Sequence, residues 1–250
     1  MPVITYLVAS LVTLAFTIVL TVAGLGAAFI LVPVYLALGV SMHSAQATAL
    51  LLNAIAMAFA CARFIPAKLV DFRVAIPIVI VATVLSPLGA YAGSFMPVTT
   101  LKWLFIGFLV FAAMMMLFYK PKPRPAMPPG KVAGVGAGVG GVAGFLGGML
   151  GVGGGNFVVP TLVWLGLDAK RAAGTTAFVV VFASFTGFLG QASVATIDGT
   201  LLAWTAVASI IGALIGSWLM HRKLQAAQVK TSIGVLLIFI AATMAYKLLT

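Results

Sequence analysis

Eight long apolar runs decide most of what this chain can become. They span approximately 3–39, 44–64, 74–94, 101–119, 132–167, 172–190, 200–220 and 231–249, with short connections between them. Recurring runs of about 20 apolar residues suit membrane-crossing helices, whereas a membrane barrel shows alternating stretches of about 10. Only 7% of the 250 residues are charged, against about 25% in a soluble domain, too few to cover a water-exposed globule. The fold class is therefore an all-α polytopic membrane protein. The net charge of +11 does not call for nucleic acid, because the 14 Lys and Arg sit almost wholly in the connections, where positive residues set membrane orientation. Met1 to Tyr6 has no basic segment and the run from Leu7 has no A-x-A site, so the first run reads as a retained helix.

Two runs are too long for one crossing. As single helices, 3–39 and 132–167 would each reach about 55 Å, against a hydrocarbon core of about 30 Å. Glycines interrupt both: Ala23-Gly24-Leu25-Gly26 in the first and Gly151-Val152-Gly153-Gly154-Gly155 in the second. The prolines of the segment from Lys120 to Gly130 forbid a helix there. The chain thus divides into a first transmembrane half, 1–119, a Pro/Lys-rich cytoplasmic linker, 120–131, and a second transmembrane half, 132–250.

The halves repeat. A shift of 127 residues aligns 24–120 with 151–247 without a gap and gives 16 identities, eight of them between 24 and 48. These include Gly24/Gly151, Gly26/Gly153, Pro33/Pro160, Gly39/Gly166 and Thr48/Thr175, and Asp71/Asp198 keeps the same register. Basic residues then set the orientation. The connections 63–73 and 221–230, the linker and the pair Lys170-Arg171 are expected inside, and 95–100 and 191–199 outside. That places both ends of 132–167 inside and both ends of 3–39 outside, so each is a hairpin turning at its glycines. The expected plan is two inverted repeats, each a glycine-broken helical hairpin plus three transmembrane helices, the internal plan of many secondary transporters.

In each hairpin the second arm, about 27–39 or 154–167, is some 20 Å long, so its N-terminus starts within the membrane. A helix N-terminus presents unpaired N–H groups and about half a positive charge, and glycine lets the backbone approach a ligand closely. Two such ends entering from opposite faces make an anion site near the midplane. The candidate binding residues at the turns are Gly24, Gly26, Ala27, Gly153, Gly154, Gly155 and Asn156, with the N–H groups of 26–28 and 153–156 as donors. Gln46, Thr48 and Asn53 join them from 44–64, and Thr175 and Thr176 from 172–190, a run that also carries Ser184 and Gln191. Each also has a structural explanation, in close helix packing at glycine or interhelical hydrogen bonding. Gly134, Gly138, Gly141, Gly144 and Gly148 are read as a packing face.

Catalytic chemistry lacks its residues. Asp71, Asp168 and Asp198, the only acids, all lie in connections, so no buried carboxylate carries protons. H-E-x-x-H, G-x-S-x-G and P-loop motifs are absent. With two histidines and the lone Cys61, no metal site, haem or other cofactor is expected, and the chain is not read as an enzyme. His43 and His221 stand at segment ends as interfacial residues.

The two copies Gly24-Leu-Gly-Ala-Ala-Phe-Ile-Leu-Val-Pro33 and Gly151-Val-Gly-Gly-Gly-Asn-Phe-Val-Val-Pro160, with Ala45-x-x-Thr48 and Ala172-x-x-Thr175 downstream, resemble the TauE/SafE sulfite-exporter family of bacterial membrane proteins. The first copy departs from the pattern with Ala27 and Ala28 where the second has glycines. The resemblance implies a multi-pass protein of the bacterial inner membrane that moves sulfite, sulfoacetate or other sulfonates, usually outward. The expected partners are a small anionic substrate and the lipid bilayer, with a homodimer left open. An anion channel of the same fold and a non-transport subunit of a larger complex are the alternatives.

Overall fold

A computed structural model describes residues 3–118, 129–222 and 226–249. The chain forms α1 (Val3–Val22), α2 (Ala28–Ala37), α3 (Met42–Phe64), α4 (Phe72–Ser94), α5 (Val98–Phe118), α6 (Pro129–Leu150), α7 (Gly155–Trp164), α8 (Ala169–Ala192), α9 (Gly199–Arg222) and α10 (Ala226–Leu249). No strand occurs among the described residues. Among the described residues, five of the helices are long and apolar enough to cross a membrane. Their outward faces carry large apolar side chains, such as Ile76, Ile80 and Val84 on α4 and Val207, Ile211 and Ile215 on α9. A water-soluble protein would cover such faces, and a bilayer solvates them. The chain is an all-α polytopic membrane protein.

Both over-long runs break at their glycines. Gly24 and Gly26 have φ of +70° and +75°, and Gly151, Gly153 and Gly154 lie between +71° and +73°. A side chain is strained in that left-handed region. The arms α2 and α7 that follow have 10 residues each, about 15 Å and shorter than the sequence suggests. At the second break the chain doubles back, since Gly154 lies against the Ala143 carbonyl and beside Gly147 of α6.

The linker ends earlier than expected. Helix α6 begins at Pro129, so 129–131 are helical and not part of a proline-broken segment. Proline is tolerated at a first helical position because the N–H it lacks has no intrahelical partner there. Residues 120–128 lie outside the described residues.

The helix starts recur with the same 127-residue spacing as the sequence identities: 28 and 155, 42 and 169, 72 and 199. Contacts recur with it. Gly24 touches Ala173 and Gly151 touches Gln46; Gly89 touches Phe145 and Gly216 touches Ile18. In the centre, α3 lies against α8. Gln191 donates to Gln46 and Asn53 donates to Ser184, so one sequence rises as the other falls and the two helices are antiparallel. By contrast α4 and α6 run parallel, as do α1 and α9.

The α4–α6 contact rests on glycine, in a register different from the one expected. Gly136, Gly140, Gly144 and Gly148 face Ile78, Ala82 and Ser86 at four-residue spacing, with Gly141 beside Val81 and Leu85. A Cβ on Gly134 or Gly138 would meet nothing within 4 Å, so these two do not belong to the packing face. The face follows the i, i+4 ridge of one side of the helix, and the positions 134 and 138 fall on another side.

At one end of the bundle Arg171 pairs with Asp71 at 2.8 Å. The Asp71 N–H donates to the Thr175 hydroxyl at 2.9 Å, and Gly174 packs against the Leu69 carbonyl. The connection between α3 and α4 is thereby joined to the start of α8. Near the starts of α1 and α9, Tyr6 donates to Asp198 at 3.1 Å.

Candidate functional site

The two breaks meet at the middle of the central helix pair. Asn53 is the twelfth of the 23 residues of α3, and its amide lies between the breaks. A Cβ on Gly26 would strike Asn53 Oδ1, and one on Gly153 would strike Asn53 Nδ2 and Ser184 Oγ. Gly155 abuts the Leu25 carbonyl and Val180, the twelfth of the 24 residues of α8. Only glycine fits at these contacts. At 1.5 Å per residue the meeting point is about 17 Å from either end of α3.

The backbone donors there are unpaired. Among the described residues none accepts from the N–H groups of Gly26, Ala27, Ala28 and Phe29, or from those of Gly154, Gly155 and Asn156. All seven residues are buried. Gly153 differs: its N–H reaches the Gly147 carbonyl at 3.3 Å. The N-caps supply no relief, since Ala27 has no polar side chain and Gly154 has none at all. Buried N–H groups without partners are costly, and here they cluster at the positive ends of two helices.

The side chains around them divide into three groups. Asn53 gives its Nδ2 to Ser184 Oγ at 2.9 Å and leaves Oδ1 without a partner; Asn156 Oδ1 and Thr176 Oγ1 are equally unpartnered. Thr176 stands one helical turn before Val180 and therefore on the same face of α8. Gln46 is structural: it donates to the Met149 carbonyl at 3.1 Å and accepts from Gln191 at 3.2 Å, fastening the end of α6 to the α3–α8 pair. Gly24 packs against the backbone of Ala173. Thr48 is buried on α3 and no hydrogen bond joins it to a break. Thr175 is buried too, and its hydroxyl is taken by Asp71.

Sequence reasoning named Ser184 and Gln191 as polar residues of α8 but not as members of the site. It also passed over Val180, the position equivalent to Asn53 in the second half. The buried polar side chains of the described residues are all Ser, Thr, Asn or Gln, and no group of His, Cys, Asp or Glu there could hold a metal.

The model of the family described as sulfite exporter TauE/SafE matches residues 9–244. The chain belongs to this family. The match takes in both glycine breaks and reaches into every helix, so the TauE/SafE assignment covers the candidate site together with most of its scaffold. Membership implies a membrane transporter for sulfite or related anions. No curated protein and no solved structure matches the chain.

Proposed function

We propose that this TauE/SafE member exports small sulfur-containing anions, such as sulfite, sulfoacetate or other organosulfonates, across the bacterial inner membrane. The anion sits between the two breaks, held by the backbone N–H groups that open α2 and α7. One observation carries this reading: seven N–H groups in buried residues at two helix N-termini have no acceptor among the described residues, and the two ends meet on Asn53. A sulfite or sulfonate group offers three oxygen acceptors that the fold withholds, at the ends where negative charge is favoured.

Inverted halves supply the two entrances. Three facts support the inversion: helix starts 127 residues apart, the antiparallel run of α3 and α8, and the pairing of Arg171 with the basic connection 63–73. Equivalent helices that run in opposite directions put one break in each leaflet and the site between them, as alternating access requires. With no buried charged side chain at the site, the substrate needs no counter-ion to be released before it leaves.

Reconstitution into liposomes tests the proposal. Sulfite or a sulfonate loaded inside should leave at a rate that saturates with concentration, and calorimetric titration of the purified protein should show a single anion site. Flux that rises linearly without saturation would identify the channel alternative. Absence of binding by sulfite and by every sulfonate tried would refute the proposal.

A further inference from the structure

The site holds acceptors as well as donors, and it holds no charged side chain. The two helix ends together contribute about one positive charge. Among the described residues no Lys, Arg or His is buried, so a second negative charge on the ligand would stand uncompensated in a low-dielectric interior. Two amide oxygens next to these ends are also unpartnered. Asn53 is fully buried, its Nδ2 occupied by Ser184 and its Oδ1 bare; Asn156, in the first turn of α7, is 7% exposed with Oδ1 bare. The orientation of Asn53 suits its place. Its oxygen faces Gly26 at the positive end of α2, where an acceptor is favoured.

An anion with acceptor oxygens only would satisfy the backbone donors and leave both amide oxygens unpaired, with negative charge beside them. We propose that this site selects a monoanion bearing its own hydrogen-bond donor, such as hydrogensulfite or a sulfonate with a hydroxyl group. Dianions, sulfoacetate and fully deprotonated sulfite among them, and purely apolar sulfonates bind more weakly, which narrows the range of anions given for the proposed function. The inference rests on the proposed anion site and adds its specificity. Asn53 is a selecting residue that the repeat does not duplicate, because its equivalent in the second half is Val180. The ligand therefore binds in one preferred orientation, its donor toward Asn53.

The test compares near-isosteric ligands on the purified full-length protein. Isethionate carries a terminal hydroxyl where propane-1-sulfonate carries a methyl group, and calorimetry should find isethionate about tenfold tighter, the value of one to two satisfied hydrogen bonds. Inorganic sulfate should bind more weakly than either. Sulfite should bind progressively less well as rising pH converts hydrogensulfite to the dianion, while isethionate affinity stays level. In Asn53→Val, which copies the second half, and in Asn156→Leu, the ratio of the two sulfonate affinities should fall toward one. Two variants at separate sites keep the test intact should either misfold. Equal affinities for isethionate and propane-1-sulfonate in the wild-type protein, or sulfate as the tightest ligand, overturn the inference while leaving the anion site standing. Failure of all these anions to bind removes the anion site and the inference with it.

Discussion

Replacing Thr175 by valine keeps the shape of the side chain and removes one hydroxyl. That hydroxyl accepts the Asp71 N–H at 2.9 Å, and the substitution strands a backbone donor in a connection packed against α8 through Leu69 and Gly174. Leaving a buried donor unsatisfied costs about 1–3 kcal/mol. Asp71 keeps partial access to solvent, its side chain being 21% exposed, so the lower half of that range applies, about 1–2 kcal/mol. The neighbouring ion pair is worth less, because the Arg171 side chain is 49% exposed and such pairs contribute about 0–1 kcal/mol. Thr175→Val should therefore be the more damaging change and Arg171→Ala the milder. Thr48→Val, at the equivalent position, has no such bond to lose and should leave stability unchanged. Denaturant unfolding in detergent micelles, followed by tryptophan fluorescence, should show the folded-to-unfolded ratio of Thr175→Val lowered about 5- to 30-fold, with sulfonate affinity intact. A Thr175→Val protein of wild-type stability and weakened sulfonate binding would refute this reasoning and return the hydroxyl to the anion.

With Cys61 replaced by serine, single cysteines at positions 68 and 199 should label from opposite faces of the membrane; labelling from one face would end the inverted arrangement. Gly144→Ala should lower the thermal midpoint, since its Cβ would lie 2.6 Å from Ala82 Cα, whereas Gly138→Ala meets open space and should be tolerated; melting curves of both variants decide. The Asp198 carboxyl is held below the usual aspartate range, chiefly by the Leu201 N–H and also by the Tyr6 hydroxyl and the Thr200 N–H. A depressed carboxylate stabilises the fold at pH above its unfolded value, about 4, and loses that contribution as the pH falls through the folded value. Wild type should thus be more stable than Asp198→Asn at neutral pH and converge with it in acid.

The breaks were legible because two physical limits coincide at them. A 37-residue apolar run exceeds the bilayer, and glycine clusters mark where it can turn. What sequence could not supply was helix rotation. Glycines at 134, 136, 138, 140, 141, 144, 147 and 148 leave almost every side of α6 small, so composition gave no reason to choose the 136–148 ridge over the neighbouring 134–138 positions. The repeat misdirected in one respect. It matched Thr48 with Thr175 and suggested a symmetric pair at the site, but the residues that meet there are Asn53 and Ser184, whose positions are not equivalent in the two halves. Antiparallel packing brings together residues by descending register, and an internal shift of constant sign does not reveal such pairs. Thr175 illustrates the same gap: nothing in its run announces that a connection 104 positions away takes its hydroxyl.

Helices whose backbones touch turn after turn cannot roll past one another without driving carbonyl oxygens into Cα atoms. Gly136, Gly140, Gly144 and Gly148 bind α6 to α4 in this way, and Gly154 extends the contact from Ala143 to the start of α7. These elements form one stiff plate that carries the second break with it. Gly212 and Gly216 tie α9 to α1, a second plate ending at the first break. Between the plates runs the α3–α8 seam, where Ala56, Ala60, Ala173 and Ala177 share one core and present little relief to catch. Motion along that seam must remake the side-chain bonds Asn53–Ser184 and Gln46–Gln191 and the bond from Gln46 to the Met149 carbonyl. A covalent staple across the seam should arrest turnover, whereas a staple within either plate should leave it running.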